Sequence, residues 1–179
     1  MKNLAVGIEQ VLENKEKRVL RQQQLLDTYH LPLISFTINM PGPIKNNSIV
    51  QHIFHCGTKA IIQTMEVQNW HITDSILLEE NATGPEALWV IKGCSDFNKL
   101  KAVLVDLEQN LMLGRLMDID MVTPSGKQIS RSSLNLPKRQ CFICAKEAKI
   151  CARSRQHSVE ELVAKIEELV TLDITMNPQ

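Results

Sequence analysis

Aromatic side chains are scarce in this sequence: Phe, Trp and Tyr make up 4% of its 179 residues. A core must therefore draw on Leu, Ile, Val, Met and Ala. No run of about 18 apolar residues occurs, so a membrane-spanning helix is not expected. The apolar stretch near the N-terminus breaks at Glu9, too early for the hydrophobic region of a secretory signal. Net charge is zero, with 20 Lys/Arg against 20 Asp/Glu, which argues against wholesale nucleic-acid binding. The cysteines number five, an odd count with no export signal before it. That argues against a disulfide framework and for a reducing cytoplasm. Repeats, low-complexity tracts and interdomain linkers are missing as well. The length suits one domain over residues 1–179.

What is present reads as alternating helices and strands. Residues 3–29 predict a helix, with Leu4, Ile8, Val11, Leu12, Val19, Leu20, Leu25 and Leu26 on an apolar face and Lys15, Lys17, Arg18 and Arg21 opposite. Pro32 ends it. Residues 33–40 alternate as a strand, with Ile34, Phe36, Ile38 and Met40 on one side and Ser35, Thr37 and Asn39 on the other. Ser48 is placed to cap a helix running to about Met65. Strands follow over 70–79 and 86–92, split by Asn81, Gly84 and Pro85. Ser95 or Asp96 caps a helix whose buried face is read as Phe97, Leu100, Val103, Leu104, Leu107 and Leu111. Strand 116–123, a TPSG turn and a return strand at 127–131 form an expected hairpin. A helix near 144–154 comes next. Ser158 and Glu161 then have capping-box spacing ahead of a last helix carrying Leu162, Ile166, Leu169 and Val170, before a frayed TMNPQ tail. The order implies an α+β domain with a mixed or antiparallel sheet of about five strands faced by helices.

The chemistry concentrates in residues 114–157. Asp118 and Asp120 stand two apart on a predicted strand, so both side chains take one face, roughly 6.5 Å apart along the axis. Two such carboxylates can converge on Mg²⁺, which also holds substrate phosphates. An exposed strand face often carries charge too, and D-x-D arises by chance. From Met121 to His157 there are eight Lys/Arg and one Glu. Arg131, Lys138, Arg139, Arg153 and Arg155 could grip phosphates, the arginines through forked, charge-assisted bonds. Read blandly, they are a solvated face balancing Glu160, Glu161, Glu167 and Glu168.

Cys141, Cys144, Cys151 and His157 are spaced C-x2-C-x6-C-x5-H. The first pair has zinc-ligand spacing. The intervening AKEAKI favours helix, which would hold Cys144 and Cys151 about 10.5 Å apart and leave them as small packing residues rather than zinc ligands. Cys56 and Cys94 read as ordinary thiols. His52, His55, His71 and Trp70 show no partner pattern.

Several segments taken together resemble the holo-citrate lyase synthase family, the apo-citrate lyase phosphoribosyl-dephospho-CoA transferases. They are KEKRVLRQQQLL (15–26), SFTINMPGPIK (35–45), TGPEALWVIKG (83–93), GRLMDID (114–120), ISRSSLNLP (129–137) and CFICAKEAKICARSRQH (141–157). The resemblance implies nucleotidyltransferase-type chemistry and the possibility of a nucleotidyltransferase-like fold. The donor would be triphosphoribosyl-dephospho-CoA and the acceptor a serine of the citrate lyase acyl-carrier subunit, with diphosphate leaving. It further implies Asp118 and Asp120 as Mg²⁺ ligands, and Arg115, Arg131, Arg153 and Arg155 as phosphate contacts. Neither nucleic acid nor membrane is an expected partner. Two other readings stand beside it: a nucleotidyltransferase-like enzyme acting on another carrier or nucleotide, and a non-catalytic, zinc-stabilised carrier-protein adaptor.

Overall fold

The computed structural model describes residues 4–144 and 146–177. Eleven elements follow in order: α1 (Ile8–Tyr29), β1 (Leu33–Ile38), α2 (Ser48–Val67), β2 (His71–Leu78), β3 (Glu86–Lys92), α3 (Phe97–Asn110), a 3₁₀ turn (Gly114–Leu116), β4 (Met117–Val122), a second 3₁₀ turn (Ser132–Leu134), α4 (Ala148–Ser154) and α5 (Val159–Met176). The sheet has four strands in the order β2-β3-β1-β4, and every pairing is antiparallel. From β1 to β4 the chain runs βαββαβ, the connectivity of ferredoxin-like folds. The α+β class and the antiparallel form of the sheet match the sequence expectation.

Alternation along β1 divides the sheet into two unlike faces. Ile34, Phe36 and Ile38 join Trp89, Ala87, Met117, Ile119 and Met121 beneath α2, α3 and α5 in the main core. Leu33 meets Leu88, Val90 and Val122 on the other face, where Leu25 and Leu26 of α1 cover them. Gly57 lets α2 approach the sheet. A Cβ there would lie 2.3 Å from the Phe36 ring and 3.1 Å from Met117 Sδ. Phe36 is fully buried and stacked against Phe54 and Trp89 at 5.1 and 6.1 Å between centroids, so the ring has nowhere to move. Gly57→Ala should cost about 1–3 kcal/mol by overpacking. A thermal melt would show this as a midpoint several degrees lower. An unchanged midpoint would mean that α2 can ride outward at no cost.

Five expectations are corrected. Asn47, not Ser48, caps α2: its Oδ1 accepts from the Val50 N–H at 2.9 Å, and Ser48 is the first residue of the helix. The first helix begins at Ile8, because Ala5 bridges to Ile44 in extended form; Asn3 lies outside the described residues. Its apolar stripe is not its buried face. Ile8, Leu12, Val19 and Leu20 are exposed, and only Asn14, Leu25 and Leu26 are buried. Residues 127–131 form no strand: Val122 and Gln128 make an isolated bridge, so four strands stand where about five were expected. The helix expected over 144–154 starts at Ala148, with the chain from Cys141 irregular; Ala145 lies outside the described residues. The α5 capping box forms as read, with Ser158 Oγ accepting from the Glu161 N–H and Glu161 accepting from the Ser158 N–H. The helix continues to Met176, and Pro178 and Gln179 of the tail lie outside the described residues. No described helix is long and apolar enough to cross a membrane.

Candidate active site and an adjoining thiol cluster

β4 lies at the edge of the sheet, so one side of its backbone needs partners other than a strand. α3 supplies them with charged side chains. Asp96 caps this helix, accepting from the Asn98 and Lys99 N–H groups. Lys101, Leu104, Val105 and Glu108 then recur at i, i+3, i+4 and i+7 on its buried face. Lys101 Nζ donates to the Ile119 carbonyl at 2.9 Å. The Ile119 N–H donates to Glu108 Oε1 at 2.9 Å. Arg139 Nη2 donates to the Met117 carbonyl at 3.1 Å. These bonds fix the strand that carries the two aspartates.

Glu108 is only 2% exposed and holds two arginines besides the strand. Arg139 Nη2 lies 2.6 Å from Oε1, and Arg131 Nη2 bonds Oε2. Arg131 also reaches the Pro137 carbonyl at 3.4 Å. Neither Lys101 nor Glu108 was among the residues expected to matter. A signal existed, since both sit at helical spacing inside an apolar stripe.

Asp118 and Asp120 share a face of β4, opposite Thr37 and Ser35 of β1 respectively. Their side chains are 48% and 46% exposed, so neither is sealed from solvent. Asp118 Oδ1 lies 3.2 Å from Arg139 Nη1, and Asp120 Oδ1 lies 3.7 Å from Lys101 Nζ. Partial burial first, and then the charge of Asp118, push the Asp120 carboxyl above the usual carboxylate range, with Lys101 opposing. A third carboxylate on this face, Glu86 of β3, lies across Thr37 from Asp118. It is 2% exposed, bonded by Arg18 at 2.6 Å and by Arg21, and so anchors α1. Arg18 and Arg21 thus face the sheet rather than solvent.

A cleft of about 610 Å³ is joined to the carboxylates through Arg139, although neither Asp118 nor Asp120 lines it. Asn39, Arg115, Arg139, Phe142, Arg155 and Leu162 are among its lining residues. Arg139 therefore touches both the cleft and Asp118. Arg115 Nε and Nη2 are buried without a hydrogen-bond partner among the described residues. Burial, and then the nearby Arg139, draw the Arg115 guanidinium below its ordinary range. Both effects would be relieved by an anion in the cleft. Arg155 lines the cleft as the left-handed C-cap of α4, whereas Arg153, two residues earlier, does not. Of the four expected phosphate contacts, the structure puts Arg115 and Arg155 at the cleft. Arg131 is taken up by Glu108.

The cleft wall also holds the thiol cluster. Cys141, Cys144, Cys151 and His157 each offer a ligand atom, and these atoms all lie within 4.8 Å of one another. Cys144 Sγ is 3.4 Å from Cys151 Sγ and 3.3 Å from His157 Nε2. The late start of α4 makes this convergence geometrically accessible, because the straight helix that would separate Cys144 from Cys151 does not form. Burial opposes ionisation of Cys141, but the N–H groups of Cys144 and Ile143 together with the Cys144 and Cys151 thiols outweigh it and lower the thiol. Cys151 is pushed up to about 11, first by burial and then by the neighbouring thiols. Elsewhere His52, which showed no partner pattern in sequence, joins α2 to α5 through Asp173 at 2.9 Å.

Residues 6–172 match the family described as apo-citrate lyase phosphoribosyl-dephospho-CoA transferase. A Vibrio cholerae serotype O1 (strain M66-2) protein named probable apo-citrate lyase phosphoribosyl-dephospho-CoA transferase is 44% identical over 167 residues, 93% of each chain. An Escherichia coli O7:K1 (strain IAI39) protein with that name, without the qualifier, is 37% identical over 166 residues, 93% of this chain and 89% of its own. The protein of that name from Shigella boydii serotype 18 is 36% identical over the same shares. The chain belongs to the apo-citrate lyase phosphoribosyl-dephospho-CoA transferase family.

Proposed function

We propose that this chain transfers the phosphoribosyl-dephospho-CoA group from triphosphoribosyl-dephospho-CoA to a serine of the apo-citrate lyase acyl-carrier subunit. The whole chain, 1–179, acts as one transferase domain. The observation that carries the reading is Arg139, which pairs with one of two half-exposed aspartates and also lines a cleft whose Arg115 has buried N–H groups without a partner among the described residues. The family match over residues 6–172 supplies the substrate class. A cytoplasmic setting suits the five free thiols.

In this reading the serine Oγ bonds to the phosphorus next to the ribose, the bond to diphosphate breaks, and the hydroxyl proton is released to solvent. Arg115 and Arg155 take the donor's phosphates and the departing diphosphate. Arg139, held by Glu108, sits between those phosphates and Asp118 and fixes the distance between the two halves of the site. Asp118 and Asp120 also fit a hard divalent cation: both offer oxygen, both are open to solvent, and burial plus mutual repulsion leave Asp120 short of positive charge. Mg²⁺ held there would neutralise charge on the donor phosphates. Either aspartate can orient the attacking hydroxyl.

Incubation with the apo carrier, the donor and Mg²⁺ should add the mass of one phosphoribosyl-dephospho-CoA group to the carrier, read by intact mass. Omitting Mg²⁺ should stop the gain. A carrier left unmodified under full conditions would sink the transferase reading, and binding without modification would favour the adaptor. Arg115→Ala removes a charge-assisted contact of about 1.5–3 kcal/mol, so the donor KM should rise roughly 10- to 100-fold. An unchanged KM would place the phosphates elsewhere.

A further inference from the structure

We infer that Cys141, Cys144, Cys151 and His157 form a closed, structural zinc site that builds one wall of the cleft. The inference stands apart from the reaction proposed above.

The chemistry of the donor set is that of zinc. Three sulfurs and one imidazole nitrogen match the Cys₃His class. Tetrahedral bonds of the usual length would set ligand atoms about 3.5–3.8 Å apart. Cys144 Sγ is 3.4 Å from Cys151 Sγ and 3.3 Å from His157 Nε2, and no ligand pair exceeds 4.8 Å. Four protein ligands leave no open position, so the ion would be structural rather than catalytic.

The surrounding chain has little else to hold it. Among the described residues from Arg139 to Glu160, only Cys151 is buried. α4 is seven residues long, and both of its ends are irregular. The segment entering it folds back on itself: the Cys141 N–H donates to the Lys146 carbonyl and the Ala148 N–H to the Arg139 carbonyl, both at 2.8 Å. This turn brings Cys141 and Cys144 round to face Cys151 in the first turn of α4. Arg155 then takes a left-handed conformation at φ 48° and turns the chain so that His157 comes back to the same point. Four residues from three local conformations meet although, of the described residues from Arg139 to Glu160, Phe142 alone packs against the main apolar core. Short segments with so little core commonly depend on such an ion. The ligands lie close to Arg139 and Arg155 in sequence, so the ion would fix where two cleft cations stand.

The test uses the full-length protein, purified reduced from zinc-supplemented cells. Elemental analysis should find about one zinc per chain. Cys144→Ser and His157→Ala should each lower the content roughly tenfold or more, while Cys56→Ser and Cys94→Ser should keep it. Because a ligand variant could simply unfold, unaltered protein is also stripped and titrated with Co²⁺. Thiolate-to-metal charge transfer and strong visible bands of a tetrahedral site should appear at one equivalent and vanish on adding zinc. Reduced, folded protein that carries no zinc and gives no such bands would overturn the inference, as would a Cys144–Cys151 disulfide in protein kept under reducing conditions. Carrier modification, in the presence of Mg²⁺, by zinc-free, cobalt-silent protein would sink the zinc site and leave the transferase. Zinc bound in a protein that never modifies the carrier would do the reverse.

Discussion

Asp118→Asn and Asp120→Asn should each lower carrier modification by roughly 100- to 1000-fold while the chain stays folded. The size follows from losing one of two charges that hold a divalent cation against the donor's phosphates, a loss of several kcal/mol in transition-state stabilisation. The two variants should separate in stability. Asp118 is 48% exposed and paired with Arg139 at 3.2 Å, so its removal should cost less than about 1 kcal/mol. Asp120 has its ionisation range raised by burial and by Asp118. For such a group, stabilisation is full below the unfolded value near 3.9 and is lost as pH rises through the folded one. At pH 7 its charge therefore weighs against the fold. Without Mg²⁺, Asp120→Asn should melt at the same temperature as the parent or higher. Adding Mg²⁺ should raise the parent's melting midpoint and leave that of Asp120→Asn unmoved. Near-normal transfer by both variants would remove the aspartates from the chemistry.

The placing of that pair was legible because strand alternation is a local property. Ser35 and Thr37 against Ile34, Phe36 and Ile38 gave the faces of β1, and β4 pairs with it in register, so Asp118 and Asp120 fall opposite Thr37 and Ser35. The caps at Asp96 and Ser158 were legible for the same reason, since each acts within three residues of itself; the cap of α2 was misplaced by one residue, Asn47 taking the part expected of Ser48. What misled was long-range. α1 carries an apolar stripe, yet its docking is set by Arg18 and Arg21 reaching Glu86, more than sixty residues away. No local period encodes that pairing. Likewise AKEAKI has the composition of a helix, but α4 begins only at Ala148, after the turn bonded through Cys141 and Ala148. Local propensity gave way there to tertiary arrangement. Lys101 and Glu108 are a different case. Their spacing was visible, and a charge inside an apolar stripe signals a buried partner; only the identity of that partner needed the fold.

Glu108→Ala should be the most damaging single change outside the reacting groups. The Glu108 carboxylate is 2% exposed and serves three donors: the Ile119 N–H, Arg139 and Arg131. Removing it strands two partly buried guanidinium groups and an edge-strand N–H at once. Breaking such a buried pair costs about 3–5 kcal/mol. For a chain of this size that is a fall of roughly 10 °C in melting midpoint. Transfer should also fall at temperatures where the variant is fully folded, because Arg139 loses the anchor that holds it between the cleft and Asp118. Glu108→Gln separates the two effects. The amide oxygen can still accept from Ile119, so part of the stability should return. It carries no charge to hold the arginines, so transfer should stay low. Should Glu108→Gln restore transfer in full, Arg139 would be placed by its bonds to Met117 and Asp118 alone, and Glu108 would be a support for the strand edge and nothing more.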